Sequence, residues 1–395
     1  MIVLSFPKSV SVPVISTCSV RAWGVFCGSF VRFVPMKLHY FQTNVYKNIA
    51  LNCSFFLGRR VSFSTCQPSL NMGKEKPQVY VTRAGCPTKG IDLLKQKCDV
   101  EIWSKPLEPV PREELLKKVK GKDALFCLLT DKIDKELLES AGPSLKVIAT
   151  MSTGYDHIDV PEVKKRGIKL GYTPDVLTDA VAELTVGLLL ATSRRLFEAH
   201  QEILNGGWGS WSPLWMCGPG LATSTVGIVG LGRIGIEVAK RLHTFNPSQI
   251  LYTSRSDKPE AKPFGGIRVP LDELLAQSDF IVVTCALTPE TKEMFNDETF
   301  AKMKSSAIFV NTSRGGVVDQ PALQRALESG KIAAAGLDVM TPEPLPPDHP
   351  LLQLKNCVII PHIGSATTKT REDMCILTAK NIIAALQGEP LPAEL

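Results

Sequence analysis

No run of eighteen uninterrupted apolar residues occurs in the 395-residue chain, which argues against a bilayer-spanning helix. No Cys-x-x-Cys pair and no His/Cys group at zinc spacing occurs either, so no structural metal is expected. Low-complexity tracts and short-period repeats are missing, and with them collagen-like and solenoid architectures. Acidic residues are missing from one stretch: residues 1–74 hold eight Lys or Arg and no Asp or Glu. The formal charge of +6 therefore resides in that segment, and the remainder carries 37 basic against 39 acidic residues. A nearly neutral body gives no support to a nucleic-acid surface.

The leading segment is rich in Ser, Phe, Val and Arg, and Pro7, Lys8 and Pro13 interrupt its first apolar stretch. That pattern is closer to a mitochondrial transit segment than to a secretory signal. Upstream sequence read through as coding, or an unfolded leader, is the favoured explanation, because Met72 is followed by Gly-Lys-Glu-Lys-Pro and then a clean strand. Residues 1–76 are thus expected to be an unstructured or targeting leader, and the Asn52-Cys53-Ser54 sequon within it is a short match of the kind that arises by chance. Seven of the eleven cysteines lie beyond it, scattered and mostly in apolar runs such as 125–129, as in a reducing compartment. The expected location is cytoplasmic, or mitochondrial if the leader is a true targeting segment.

With 44% hydrophobic and 21% charged residues, the body has the composition of a globular protein. From residue 78 short apolar runs (79–81, 100–103, 125–129, 147–151) alternate with helical patterns (90–97, 113–119, 135–140). Such alternation predicts βαβ units and a parallel sheet. One long helix is expected from about Asp179 past Leu196, with Pro174 just before it as a domain boundary. A second alternating set follows, with strands expected at 225–229, 249–252, 280–285, 307–310, 333–337 and 358–360. The predicted fold is α/β, with two Rossmann-like or flavodoxin-like parallel-sheet domains: residues 179–362 a dinucleotide domain inserted in a split domain of 77–178 and 363–395.

Gly230-Leu231-Gly232-Arg233-Ile234-Gly235 directly follows the strand 225–229 and precedes a helix over 236–242. In that position Gly230 makes the tight turn, Gly232 lets a pyrophosphate approach the backbone, and Gly235 lets helix pack on strand. The helix N-terminus supplies free N–H groups to the phosphates, and Arg233 and Ile234 of the fingerprint are expected to border the coenzyme there. The next strand ends in Thr253-Ser254-Arg255-Ser256, where an NAD site usually places Asp or Glu on the ribose. Hydroxyls and a guanidinium suit a 2′-phosphate, so NADP(H) is expected to be preferred, NAD remaining open. Asp257, slightly later, argues the other way.

Three later segments look catalytic. Asn311-Thr312-Ser313-Arg314-Gly315-Gly316 follows one strand, Gly336-Leu337-Asp338-Val339 closes the next with Glu343 shortly after, and Pro361-His362-Ile363-Gly364-Ser365 follows the last. An Arg, a Glu and a His at successive strand ends are placed to converge where α/β proteins bind ligands. Together with Met151-Ser152-Thr153-Gly154, the 171–178 segment and Pro213-Leu214-Trp215-Met216-Cys217-Gly218, these motifs make residues 78–395 resemble the D-isomer-specific 2-hydroxyacid dehydrogenases. Within that family the chain is most similar to the branch acting on glyoxylate and hydroxypyruvate.

The resemblance implies NADPH-dependent reduction of glyoxylate to glycolate and of hydroxypyruvate to D-glycerate. It implies His362 as proton donor, Glu343 as partner of its imidazolium, and Arg314 on the substrate carboxylate and carbonyl. The backbone N–H groups of Thr153 and Gly154 would hold the other carboxylate oxygen, on closure of the cleft toward Arg314; family pockets carry a branched apolar residue where Thr153 stands. Ala286, Thr312, Asp338 and Gly364 would border the coenzyme, although Asp338 reads equally as a loop brace. Asp156 and His157 read as a helix-cap network. Trp208, Trp211 and Trp215 read as core, or as a segment crossing to the other subunit of a homodimer, with Trp211 bordering that subunit's pocket. Neither a nucleic-acid nor a membrane partner is implied. Another substrate within the family, as in phosphoglycerate dehydrogenases, and a nucleotide-sensing corepressor-like binding protein on the same fold remain alternatives.

Overall fold

The computed structural model describes residues 75–395; the leader expectation, its four cysteines and the Asn52 sequon lie outside them. The chain runs β1 (Gln78–Val81), α1 (Thr88–Lys97), β2 (Asp99–Ile102), α2 (Arg112–Lys118), β3 (Ala124–Cys127), α3 (Lys135–Ala141), β4 (Val147–Thr150), α4 (Val160–Lys165) and β5 (Lys169–Gly171). These five strands form one parallel sheet in the order β2-β1-β3-β4-β5. β3 and β4 are buried at every position, as continuous apolar runs covered by helices on both faces must be.

Two helices follow, α5 (Thr178–Ser193) and α6 (Leu196–Leu204). A single helix past Leu196 is not what forms. Arg195 takes a φ of 56°, the left-handed region, and its guanidinium pairs with Glu198 at 2.7 Å, so α6 leaves in a new direction. α6 buries none of its residues.

The second sheet begins with β6 (Thr225–Val229), α7 (Arg233–His243), β7 (Gln249–Thr253), β8 (Gly266–Arg268), α8 (Leu271–Gln277) and β9 (Phe280–Val283). It continues with α9 (Asp297–Ala301), β10 (Ile308–Asn311), α10 (Gln320–Glu328), β11 (Ala334–Leu337) and β12 (Cys357–Ile359). Its strands are parallel in the order β12-β11-β10-β9-β6-β7-β8. The strand order reverses between β6 and β9, the position where open α/β sheets bind ligands at the C-terminal ends of their strands. Phe295, Phe300 and Phe309 fill one face of this sheet, with ring centroids 5.0 Å apart for Phe295–Phe309 and 5.5 Å for Phe300–Phe309.

Helix α11 (Thr368–Gln387) returns to the first sheet, where Met374, Cys375, Ala379 and Ile382 pack with Val79, Val81 and Phe126. Helix α5 instead packs Ala182, Leu188 and Leu189 on the second sheet with Val226, Ile228 and Val310. The chain therefore passes from one sheet to the other between β5 and α5 and comes back before α11. Among the described residues no helix is long and apolar enough to cross a membrane.

Candidate active site

Adjacent strands β10, β11 and β12 deliver Arg314, Glu343 and His362 from their C-terminal ends to one place. The His362 ring Nδ1 donates to Glu343 Oε2 at 2.8 Å, and the other carboxylate oxygen accepts from Met340 N–H at 2.9 Å. The pair is thus held at both ends. Burial alone would raise the Glu343 carboxyl; the His362 hydrogen bond and charge outweigh it and hold the group below its ordinary range.

His362 itself has a φ of 50°, a conformation that β-carbon-bearing residues adopt only when their surroundings enforce it. The enforcement comes from Asp338, which is 1% exposed. Its backbone carbonyl accepts from His362 N–H at 2.9 Å, and its two carboxylate oxygens accept from Ile363 N–H at 2.7 Å and Gly364 N–H at 2.9 Å. Burial pushes the Asp338 carboxyl up against the pull of those N–H groups. The bracing reading of Asp338 is therefore realised in these contacts, and it is the brace that aims the imidazole.

Opposite stands the end of β4. Thr153 Oγ1 donates to Thr173 O at 2.7 Å, and Ser152 Oγ to Gly154 O at 2.7 Å. The Thr153 hydroxyl is satisfied by a backbone carbonyl beside it. Gly154 lets the guanidinium approach the backbone: a β-carbon there would fall 1.7 Å from Arg314 Nη2 and displace it. Arg314 already lies against Gly154, and Arg314 Nε donates to Asp156 Oδ1 at 2.8 Å while Nη1 donates to Ser313 O at 2.8 Å. Three of its five N–H groups remain for a ligand.

Asp156 was not recognisable as part of this site, and its helix-cap reading is incorrect. Asp159 caps α4 through Glu162 N–H at 3.1 Å, which frees Asp156 for Arg314. Burial raises the Asp156 carboxyl, but the Arg314 charge and hydrogen bond bring it below its ordinary range. His157 does not cap a helix either. Its Nε2 lies 3.1 Å from Thr150 Oγ1, and burial lowers the imidazole to about 4, so it is neutral at physiological pH.

The Gly-rich turn fits a dinucleotide. Gly230 has a φ of 96°, and a β-carbon there would come within 2.6 Å of the Cys285 backbone; at Gly235 it would meet Gly230 O at 2.5 Å, whereas Gly232 faces open space. Gly232 is the N-cap of α7, which opens at Arg233, three residues earlier than periodicity suggests. Ile234 lies half-buried beneath that turn, and Arg233 Nε pairs with Asp175 Oδ1 at 2.7 Å. Ala286 sits on the exposed loop after β9, its carbonyl accepting from Thr291 Oγ1 at 2.7 Å. Buried Thr312 shares a 2.8 Å hydroxyl contact with Thr185 of α5. Thr253 ends β7, and Ser254, Arg255 and Ser256 begin the turn that follows it.

The three tryptophans are not core, contrary to one of the two expectations for them: Trp208, Trp211 and Trp215 are 64%, 84% and 41% exposed. They follow α6, whose Leu196, Phe197, Ile203 and Leu204 are also exposed, so among the described residues an apolar face is left without a cover.

Comparison with known proteins agrees with this geometry. Residues 186–364 match the NAD-binding domain of the D-isomer specific 2-hydroxyacid dehydrogenases. The chain is 57% identical over 321 residues to glyoxylate reductase/hydroxypyruvate reductase of Mus musculus, covering 80% of this chain and 97% of that protein. Among solved structures, a Thermus thermophilus protein has a TM-score of 0.75 and 42% identity, covering 80% of this chain and 99% of its own. An NADPH-dependent glyoxylate/hydroxypyruvate reductase from Sinorhizobium meliloti, solved with NADP and malonate, has a TM-score of 0.69 and 30% identity, covering 81% and 97%. Two parallel-sheet domains, a dinucleotide turn at the strand-order reversal, and this likeness along the described length make the chain an enzyme of the D-isomer-specific 2-hydroxyacid dehydrogenase family.

Proposed function

We propose that the chain reduces glyoxylate to glycolate and hydroxypyruvate to D-glycerate, with NADPH as preferred reductant and His362 as proton donor. The observation that carries the reading is the facing pair of anchors: the Arg314 guanidinium on Gly154, and the His362–Glu343 pair at the next strand ends. The nicotinamide, when bound, supplies hydride to the carbonyl carbon. Everything else falls to the chain. Arg314 offers its three free N–H groups to the carboxylate and polarises the adjacent carbonyl. The backbone N–H groups of Thr153 and Gly154 hold the second carboxylate oxygen. His362, aimed by the Asp338 brace, gives a proton to the carbonyl oxygen, and Glu343 stabilises the imidazolium that donates it. In this reading residues 179–362 form the coenzyme domain, and 77–178 with 363–395 the substrate domain.

The NADPH preference is supported by the hydroxyls and guanidinium of the 253–256 turn. Gly230, Gly232, Arg233, Ile234 and Gly235 would hold the pyrophosphate; Ala286, Thr312, Asp338 and Gly364 would border the rest of the coenzyme. A homodimer is supported by the apolar face of α6 and the following tryptophans, which are exposed among the described residues, with Trp211 reaching the pocket of the second copy. The test is turnover of glyoxylate and hydroxypyruvate by the purified chain, with the chirality of the glycerate product determined. D-glycerate formed with NADPH supports the reading; absence of turnover, or L-glycerate, refutes it.

A further inference from the structure

The turn after β7 carries opposite charges two residues apart, Arg255 and Asp257. An unpaired carboxylate there would repel a 2′-phosphate and instead suit a ribose hydroxyl. Asp257 is not unpaired: Arg268 Nη1 donates to its Oδ1 at 3.0 Å. The same guanidinium uses Nε and Nη2 on Ser254 O, at 3.2 and 3.0 Å, and Nη2 again on Arg255 O at 3.3 Å. Arg268 thus gathers two carbonyls and one carboxylate of the turn onto a single planar group.

Its reach follows from the sheet. Arg268 is the last residue of β8, registered opposite Tyr252 of β7, and the next N–H, Val269, donates to Tyr252 O at 2.9 Å. The side chain therefore leaves the edge strand alongside the turn that continues β7. Arg255, by contrast, has no ion pair within 4.0 Å among the described residues, and its charge reaches only the exposed Glu290 carboxylate from a distance. With Arg268 present, the three charged groups sum to one positive charge; without it they sum to zero, and Asp257 is released.

We propose that Arg268 is the positioning residue for coenzyme discrimination: it offsets the Asp257 charge by direct pairing and fixes the turn so that Ser254, Arg255 and Ser256 can receive a 2′-phosphate. The inference rests on the NADPH reading above and deepens it. Asp257, the residue that argues against a 2′-phosphate, becomes the element through which Arg268 sets the preference.

Direct binding tests it. Calorimetric titration of the purified chain with NADPH, NADH and adenosine 2′,5′-bisphosphate gives a ratio of Kd values for wild type, Arg268→Ala and the double variant Arg268→Ala/Asp257→Asn. The NADPH-over-NADH preference is expected to fall about tenfold in Arg268→Ala, affinity for the bisphosphate falling with it. The double variant should recover most of the lost preference, because the released carboxylate is gone. A wild type that binds NADH more tightly refutes the NADPH reading itself, before any variant is compared. A wild-type preference for NADPH that Arg268→Ala leaves intact, equal losses for both coenzymes, or no recovery in the double variant overturns the role of Arg268 alone.

Discussion

Arg314 Nε and Asp156 Oδ1 lie 2.8 Å apart, and the two residues come from different sheets, Arg314 following β10 and Asp156 following β4. The guanidinium that would grip the substrate carboxylate is therefore oriented by the opposite wall of the cleft. A charge-assisted hydrogen bond of this kind contributes roughly 1.5–3 kcal/mol. Asp156→Asn keeps the shape and removes the charge. The expected outcome is a rise of about tenfold in KM for the 2-oxo acid, with coenzyme Kd near wild type. Steady-state kinetics with calorimetry of coenzyme binding reads both quantities; an unchanged KM would show that Arg314 is oriented by Ser313 O alone.

Arg314→Lys retains the positive charge and loses the planar set of donors. KM for the 2-oxo acid should rise by about 100-fold, because neither the bidentate grip nor the Asp156 contact can be reproduced by an ammonium. Coenzyme affinity is the control, and a parallel loss there would mean a collapsed cleft rather than a lost grip.

Part of this arrangement was legible in the sequence, and part was not. The fingerprint could be read because its glycines are imposed by the backbone: Gly230 has a positive φ, and Gly235 has no room for a β-carbon. The Arg, Glu and His at three strand ends could be read because β10, β11 and β12 have apolar runs that mark where each strand stops. Asp156 could not, since its partner Arg314 is 158 residues away in the sequence and only the folded chain brings the two together. Arg268 was hidden because β8 is three residues long and has no apolar run to announce it. Helix α11 was faint for a different reason: its buried face includes Thr378 and Asn381. Asn381 is satisfied by Tyr172 O at 3.0 Å and Ala393 N–H at 3.0 Å, contacts that only the folded chain brings together. The break at Arg195 left no mark in the hydrophobic pattern, since its left-handed backbone accompanies a pairing with Glu198 three residues on.

Acid sensitivity should carry a contribution from His157. Its folded-state value of about 4 lies below the ordinary 6.5, so between those values the unfolded chain binds a proton that the folded chain refuses. Stability is lost as pH falls below about 6.5, and the loss levels off below about 4, reaching roughly 3 kcal/mol at most. Denaturant unfolding between pH 7 and 4 should show a shallower decline for His157→Asn than for wild type. Parallel curves would mean that His157 is not buried in its neutral form.

Glu343→Gln preserves the hydrogen-bond geometry at His362 but removes the charge that partners the imidazolium. The reductive pH profile should move toward acid, with partial activity retained below neutrality. Because the Glu343 carboxyl is held below its ordinary range, it stays a carboxylate across mildly acidic pH and loses its charge only as pH drops through that depressed value. The readout is kcat against pH for both proteins, and a superimposable pair of profiles would dissolve the proposed partnership.

The central claim is that His362 supplies the proton, and His362→Ala tests it most directly. Pre-steady-state and steady-state reduction of glyoxylate by NADPH should show kcat reduced by roughly 10²–10⁴-fold, with KM for glyoxylate changed little and coenzyme affinity retained. A variant whose kcat stays within about threefold of wild type, with the coenzyme still bound, would contradict the account.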